Sequence, residues 1–97
     1  MIVIEREKQQ IKINGHANYD VIGKDIVCAA VSTLIQTLIQ SIKELTADKI
    51  EYEMQPGKVD IKFWSLSDVS KALIDSFFIG CQMIADEYPD NVKVMNL

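Results

Sequence analysis

The chain has a single histidine, His16, and two cysteines, Cys28 and Cys81. His16 and Cys28 share one short stretch, NGHANYDVIGKDIVCAAVS, at residues 14–32. A thiolate is a strong nucleophile. An imidazole titrates near neutral pH, so it can take a thiol proton and later hand it to a leaving group. Asp25 is of a type that caps helices. With Asp25 as the cap, Cys28 falls in the first helical turn. Unpaired backbone N–H groups and the helix dipole favour negative charge there, first as thiolate and then as the oxyanion of an attacked carbonyl. The pattern is that of a Cys–His dyad for acyl transfer.

Each of these residues also has a plainer reading. A lone histidine after a strand is commonly a surface residue, and a lone cysteine on an apolar helix is commonly a small core residue. Asp25 could cap the helix, orient His16, or do both. Ser32, one turn beyond Cys28, could bond back to its own helix or support His16. Gly15 and Gly23 could be turn residues or the hinges of a loop, Asn18 to Ile22, that closes over substrate. Cys81 beside Gly80 reads as core packing, and Trp64 and Tyr52 read likewise. One histidine and two distant cysteines cannot supply four ligands to a structural metal, so no metal or cofactor is expected.

These residues need elements to position them. Residues 2–5 and 11–13 alternate as strands, with a polar turn between them and Asn14-Gly15 ending the second. After Asp25, apolar residues recur at helical spacing: Val27, Val31, Leu34, Ile35, Leu38, Ile42 and Leu45. They predict a helix of about twenty residues whose wide apolar surface suits a sheet, a second helix or a partner subunit. Segments 49–54 and 58–64 alternate around Gln55-Pro56-Gly57, a turn sequence. Ser65 or Ser67 caps a second helix, with Val69, Leu73, Phe77, Gly80 and Ile84 inward, flanked by Ala72, Ile79 and Met83; Pro89 stops it. A last strand carries Val92 and Val94. The order is β-β-α-β-β-α-β, an α+β class with a mainly antiparallel sheet packed with two helices.

Composition narrows the function. The 97 residues make one domain, 1–97, with 48% apolar and 25% charged residues. There is no internal repeat or low-complexity tract. A net charge of −4 argues against direct nucleic-acid binding and suits a cationic partner. Residues 1–10 lack the apolar core of a signal peptide, and polar residues break the long apolar run at 26–45, so no membrane span is expected. Two free thiols fit a cytoplasmic location.

The motif Gly15-His16-Ala17, a short loop with Tyr19, then Gly23-Lys24-Asp25-Ile26-Val27-Cys28-Ala29-Ala30-Val31-Ser32, closely resembles the signature of the Prp family. These are the small bacterial ribosomal-processing cysteine proteases. The resemblance covers the whole chain in length and element order. It implies removal of an N-terminal extension from a large-subunit ribosomal protein, L-twenty-seven, with cleavage after an aromatic residue. It implies Cys28 as nucleophile, His16 as base, Asp25 and Ser32 as supporting residues, and Gly15 beside the histidine. It also implies a homodimer and a loop between His16 and Cys28 that is mobile until substrate binds. Two rivals stand against it. One is a non-catalytic, dimeric assembly factor that binds a ribosomal protein. The other is a thiol redox sensor, disfavoured by the lack of a C-x-x-C pair.

Overall fold

Five strands and two helices follow one another as β1 (Ile2–Arg6), β2 (Gln10–Asn14), α1 (Ile26–Leu45), β3 (Ile50–Gln55), β4 (Lys58–Phe63), α2 (Asp68–Glu87) and β5 (Val92–Asn96). The computed structural model describes all residues from 1 to 97. The strands form one sheet in the order β3-β4-β2-β1-β5. Three of its pairings are antiparallel, and β1–β5 is parallel. The element order and the mainly antiparallel α+β class are those expected.

The connections explain the two layers. Strands β2 and β3 both pair antiparallel with β4, so they run in the same direction. Joining them requires a long crossover, which α1 supplies. Alternation then decides which face of the sheet the helices cover. Ile2, Ile4, Ile11, Ile13, Val59, Ile61, Phe63 and Val92 are all buried. They face the helices in register, with Ile4 opposite Ile13 and Ile11 opposite Ile61. The other face carries Lys12, Glu51, Glu53, Asp60 and Lys62, a solvated surface with some opposite-charge neighbours such as Glu51 and Lys62.

Helix α1 buries Val27, Val31, Ile35, Leu38, Ile39 and Ile42 within the chain. Leu45, expected inside, is exposed at its last turn. This is the one helix long and apolar enough to cross a membrane by length and composition, but its apolar stripe packs into the core.

Helix α2 is capped by Ser67, whose side chain accepts from Ser70 N–H. Its inner face differs from the expected one. Ser70, Ile74, Phe77, Phe78, Cys81 and Ala85 are buried, whereas Val69, Ile79 and Met83 are 50%, 64% and 68% exposed. Gly80 instead lies against Leu34 of α1, where an added Cβ would come within 3.0 Å of the leucine Cδ1. Apolar residues surround most of α2, so periodicity alone does not single out its buried side. Trp64 and Tyr52, read as packing residues, are half exposed. The Tyr52 hydroxyl accepts from Lys43 Nζ at 2.6 Å, linking β3 to α1.

Candidate active site

The first turn of α1 sets the position of Cys28. Asp25 is its N-cap, with an extended backbone (φ −81°, ψ 99°). One carboxylate oxygen accepts from Val27 N–H at 3.0 Å and from Cys28 N–H at 2.9 Å. The other accepts from Tyr19 N–H at 3.0 Å and Asp20 N–H at 3.3 Å. One side chain therefore ends the helix and ties down the loop that carries His16. These bonds, led by the one from Cys28 N–H, hold the Asp25 carboxyl below its ordinary value of 3.8 against the opposing effect of desolvation.

The same bonds alter one expectation. Of the helix-start N–H groups expected to hold an oxyanion, those of Val27 and Cys28 already donate to Asp25. The next amide, Ala29 N–H, donates to the Asp25 carbonyl at 3.1 Å. A different amide reaches the sulfur: Ala17 N–H donates to Cys28 Sγ at 3.4 Å.

His16 follows β2 and leans on the β3–β4 turn. At Gly57 (φ +75°), an added Cβ would lie 2.7 Å from His16 Nε2 and 3.1 Å from Cε1. Gly57 is thus required twice, by its left-handed backbone and by the ring above it. Its carbonyl accepts from Gly15 N–H at 2.9 Å, which fixes the backbone just before the histidine. Gly15 (φ +99°) admits no side chain, because a Cβ would meet the Met1 carbonyl oxygen at 2.1 Å. Gly15 is therefore a close-approach position between β1 and the end of β2.

His16 and Cys28 line one cleft of about 800 Å³, bounded by the loop after β2, the start of α1 and the β3–β4 turn. Ser32, Gly15, Gly23 and Asp25 line it too, so every candidate residue converges there. Ile35, Met54 and Val59 give the cleft an apolar wall. Ser32 is exposed, and the bond back to the helix falls to its neighbour: Thr33 Oγ1 donates to the Ala29 carbonyl at 2.8 Å. Gly23 (φ +86°) has open space around it, so backbone conformation alone calls for glycine. Beside it, Val21 is 65% exposed and Ile22 is fully exposed. Cys81 lies in the core, where burial pushes its thiol up to about 12 and leaves it unreactive.

Four residues that hold the site were not recognised from the sequence: Ala17, Gly57, Tyr88 and Asn91. Gly57 was visible as a turn residue but not as the seat of His16. Tyr88 meets Tyr19 edge-on at 5.2 Å, and Asn91 Nδ2 donates to the Ala17 carbonyl at 2.9 Å. The asparagine contact spans 74 positions, beyond the reach of any local pattern.

Comparison with known proteins identifies relatives of the whole chain. The family model described as cysteine protease Prp matches residues 1–93. A curated ribosomal processing cysteine protease Prp from Staphylococcus aureus is 26% identical over 93 residues, covering 93% of this chain and 88% of that protein. Among solved structures, an essential ribosomal processing protease Prp from S. aureus, with a covalently linked product peptide, superposes with a TM-score of 0.94. It has 22% identity and full coverage of both chains. A Streptococcus mutans protein superposes at 0.82 with 25% identity, covering 99% of this chain and 91% of that one.

Proposed function

Because the chain belongs to the Prp cysteine protease family, we propose that it removes the N-terminal extension of a large-subunit ribosomal protein, the bacterial L-twenty-seven protein, by Cys–His catalysis. The observation that carries this reading is that His16 and Cys28 line one cleft, although they sit on different elements. The S. aureus relative is named a ribosomal processing protease, which supports a ribosomal-protein substrate.

In this reading His16 takes the Cys28 proton, and the sulfur attacks the scissile carbonyl carbon. The S–C bond forms as the C=O π pair moves onto oxygen. When that pair returns, the C–N bond breaks and the imidazolium gives its proton to the leaving amine. Water, deprotonated by His16, then attacks the thioester carbonyl. The free acid leaves, and the thiol regains its proton. Asp25 positions both reactants, holding Cys28 N–H with one oxygen and the loop with the other. Ser32 supports the loop from the cleft wall, and Gly23 is the hinge that lets the loop move. The apolar wall of Ile35, Met54 and Val59 suits an aromatic side chain before the cut. A net charge of −4 favours encounter with a basic ribosomal protein. The enzyme works in the cytoplasm as a homodimer.

The test uses the host's own extended ribosomal protein. It is incubated with wild type and with Cys28→Ala, and its N-terminus is mapped by mass spectrometry. Shortening at one bond by wild type alone supports the proposal. Stable binding with no shortening would favour the assembly-factor reading instead.

A further inference from the structure

We infer that the backbone N–H of Ala17 is the donor that stabilises negative charge at Cys28, and that Asn91 is the positioning residue that aims it. The inference rests on the protease reading and supplies a donor to that reading, because the Val27, Cys28 and Ala29 amides at the helix start are engaged elsewhere. Val27 and Cys28 N–H are bound to Asp25, Ala29 N–H to the Asp25 carbonyl, and Gly15 N–H to the Gly57 carbonyl. Ala17 N–H instead has the reacting sulfur as its acceptor, at 3.4 Å.

Three restraints hold Ala17. Between Gly15 and Asp25 it is the one buried residue, 1% exposed, with its methyl in the core cluster. Its carbonyl accepts from Asn91 Nδ2 at 2.9 Å. Its N–H meets Cys28. Asn91 is itself rigid: its N–H donates to the Tyr88 carbonyl at 2.9 Å, and its carbonyl accepts from Ile2 N–H at 2.8 Å. Lying between α2 and β5, Asn91 thus couples that corner to the nucleophile. A fixed donor in a partly water-excluded place needs no reorganisation when charge appears. It first faces the thiolate. As the S–C bond forms, the oxyanion appears on the carbon now bonded to that sulfur, two bonds from it, where the same N–H can follow the charge.

The direct test changes one atom. Cys28 permits ligation of a synthetic 1–27 segment to recombinant 28–97. Lactate in place of Ala17 replaces the N–H by oxygen and keeps the methyl. An Ala17 chain made the same way is the control. With an extended peptide as substrate, kcat should fall about 100-fold while KM stays within about twofold. Iodoacetamide alkylation of Cys28 should also move to higher pH. Asn91→Ala should show the same split more weakly, with kcat down about tenfold at similar KM, and Asn91→Asp should not rescue it. Unchanged kcat and an unchanged alkylation profile in the lactate chain would overturn the inference. If the Ala17 control cleaves nothing, the protease reading fails, and the alkylation profile alone decides the role of the amide. Should the lactate chain not fold, the kcat–KM split and alkylation profile of Asn91→Ala decide in the same way.

Discussion

Among the residues, Asp25 has the most separable roles. Asp25→Asn keeps an oxygen for the helix end but puts an amide where a second acceptor is needed. Asp25→Ala removes both. Activity should therefore fall in the order wild type, Asn, Ala, with Ala about 100-fold down, as steady-state kinetics would show. Since its pKa is lower when folded, Asp25 contributes stability fully above its ordinary 3.8 and loses it as pH falls through the folded value. Asp48 behaves alike, held low first by the Ser67 hydroxyl and then by Ser70. Acid melts should show the wild type losing stability below about pH 4. The double variant Asp25→Asn, Asp48→Asn should be less sensitive there. The two thiols should differ as well. Iodoacetamide near pH 8 should label half-buried Cys28 and spare Cys81, giving one adduct by intact mass, with a second only after denaturation. His16, Cys28 and Asp25 were legible because a motif and a cap are local in the chain. Ala17 and Asn91 were not, because what matters at Ala17 is its backbone and what matters at Asn91 is a partner on another element.

Between elements, the β3–β4 turn and the loop before α1 form the two sides of the cleft. Gly57→Ala should cost about 1–2 kcal/mol from its left-handed backbone, and its methyl would displace the His16 ring as well. Gly23→Ala has a similar backbone penalty but meets no neighbouring atom. Denaturant melts paired with kinetics should separate them: comparable stability losses, with kcat falling tenfold or more for Gly57→Ala and less for Gly23→Ala, where only the loop hinge is stiffened. Equal kinetic losses would show instead that loop hinging at Gly23 limits turnover. The helices and hairpins were readable from periodicity and from the Pro-Gly turn. The buried side of α2 was not. Phe78 and Ile79, or Met83 and Ile84, are equally apolar, and only packing against the sheet and Leu34 chooses between them.

Across the whole molecule, one core supports a site at its edge. Ile61 is 1% exposed in the interior strand β4, away from the cleft lining. Ile61→Ala should cost about 2–5 kcal/mol in urea melts while leaving KM near wild type below the unfolding transition. Net charge acts at the same scale. Adding salt should lower kcat/KM for a basic substrate more than for a neutral peptide of the same cut site. Strand order lay beyond the sequence, because pairing β1 with β5 joins the two ends of the chain and leaves no local mark. The layered α+β class was legible from the alternation of hairpins and helices.

The central claim is that Cys28 and His16 together cut a peptide bond. It is tested most directly with a synthetic peptide spanning an extended ribosomal-protein N-terminus, digested by wild type, Cys28→Ala and His16→Ala from about pH 6 to 9 and read by mass spectrometry. Wild type should make a single cut after an aromatic residue, and neither variant should cut. Cleavage that survives Cys28→Ala, or a folded wild type that cuts its own host's sequence at no pH, would contradict it.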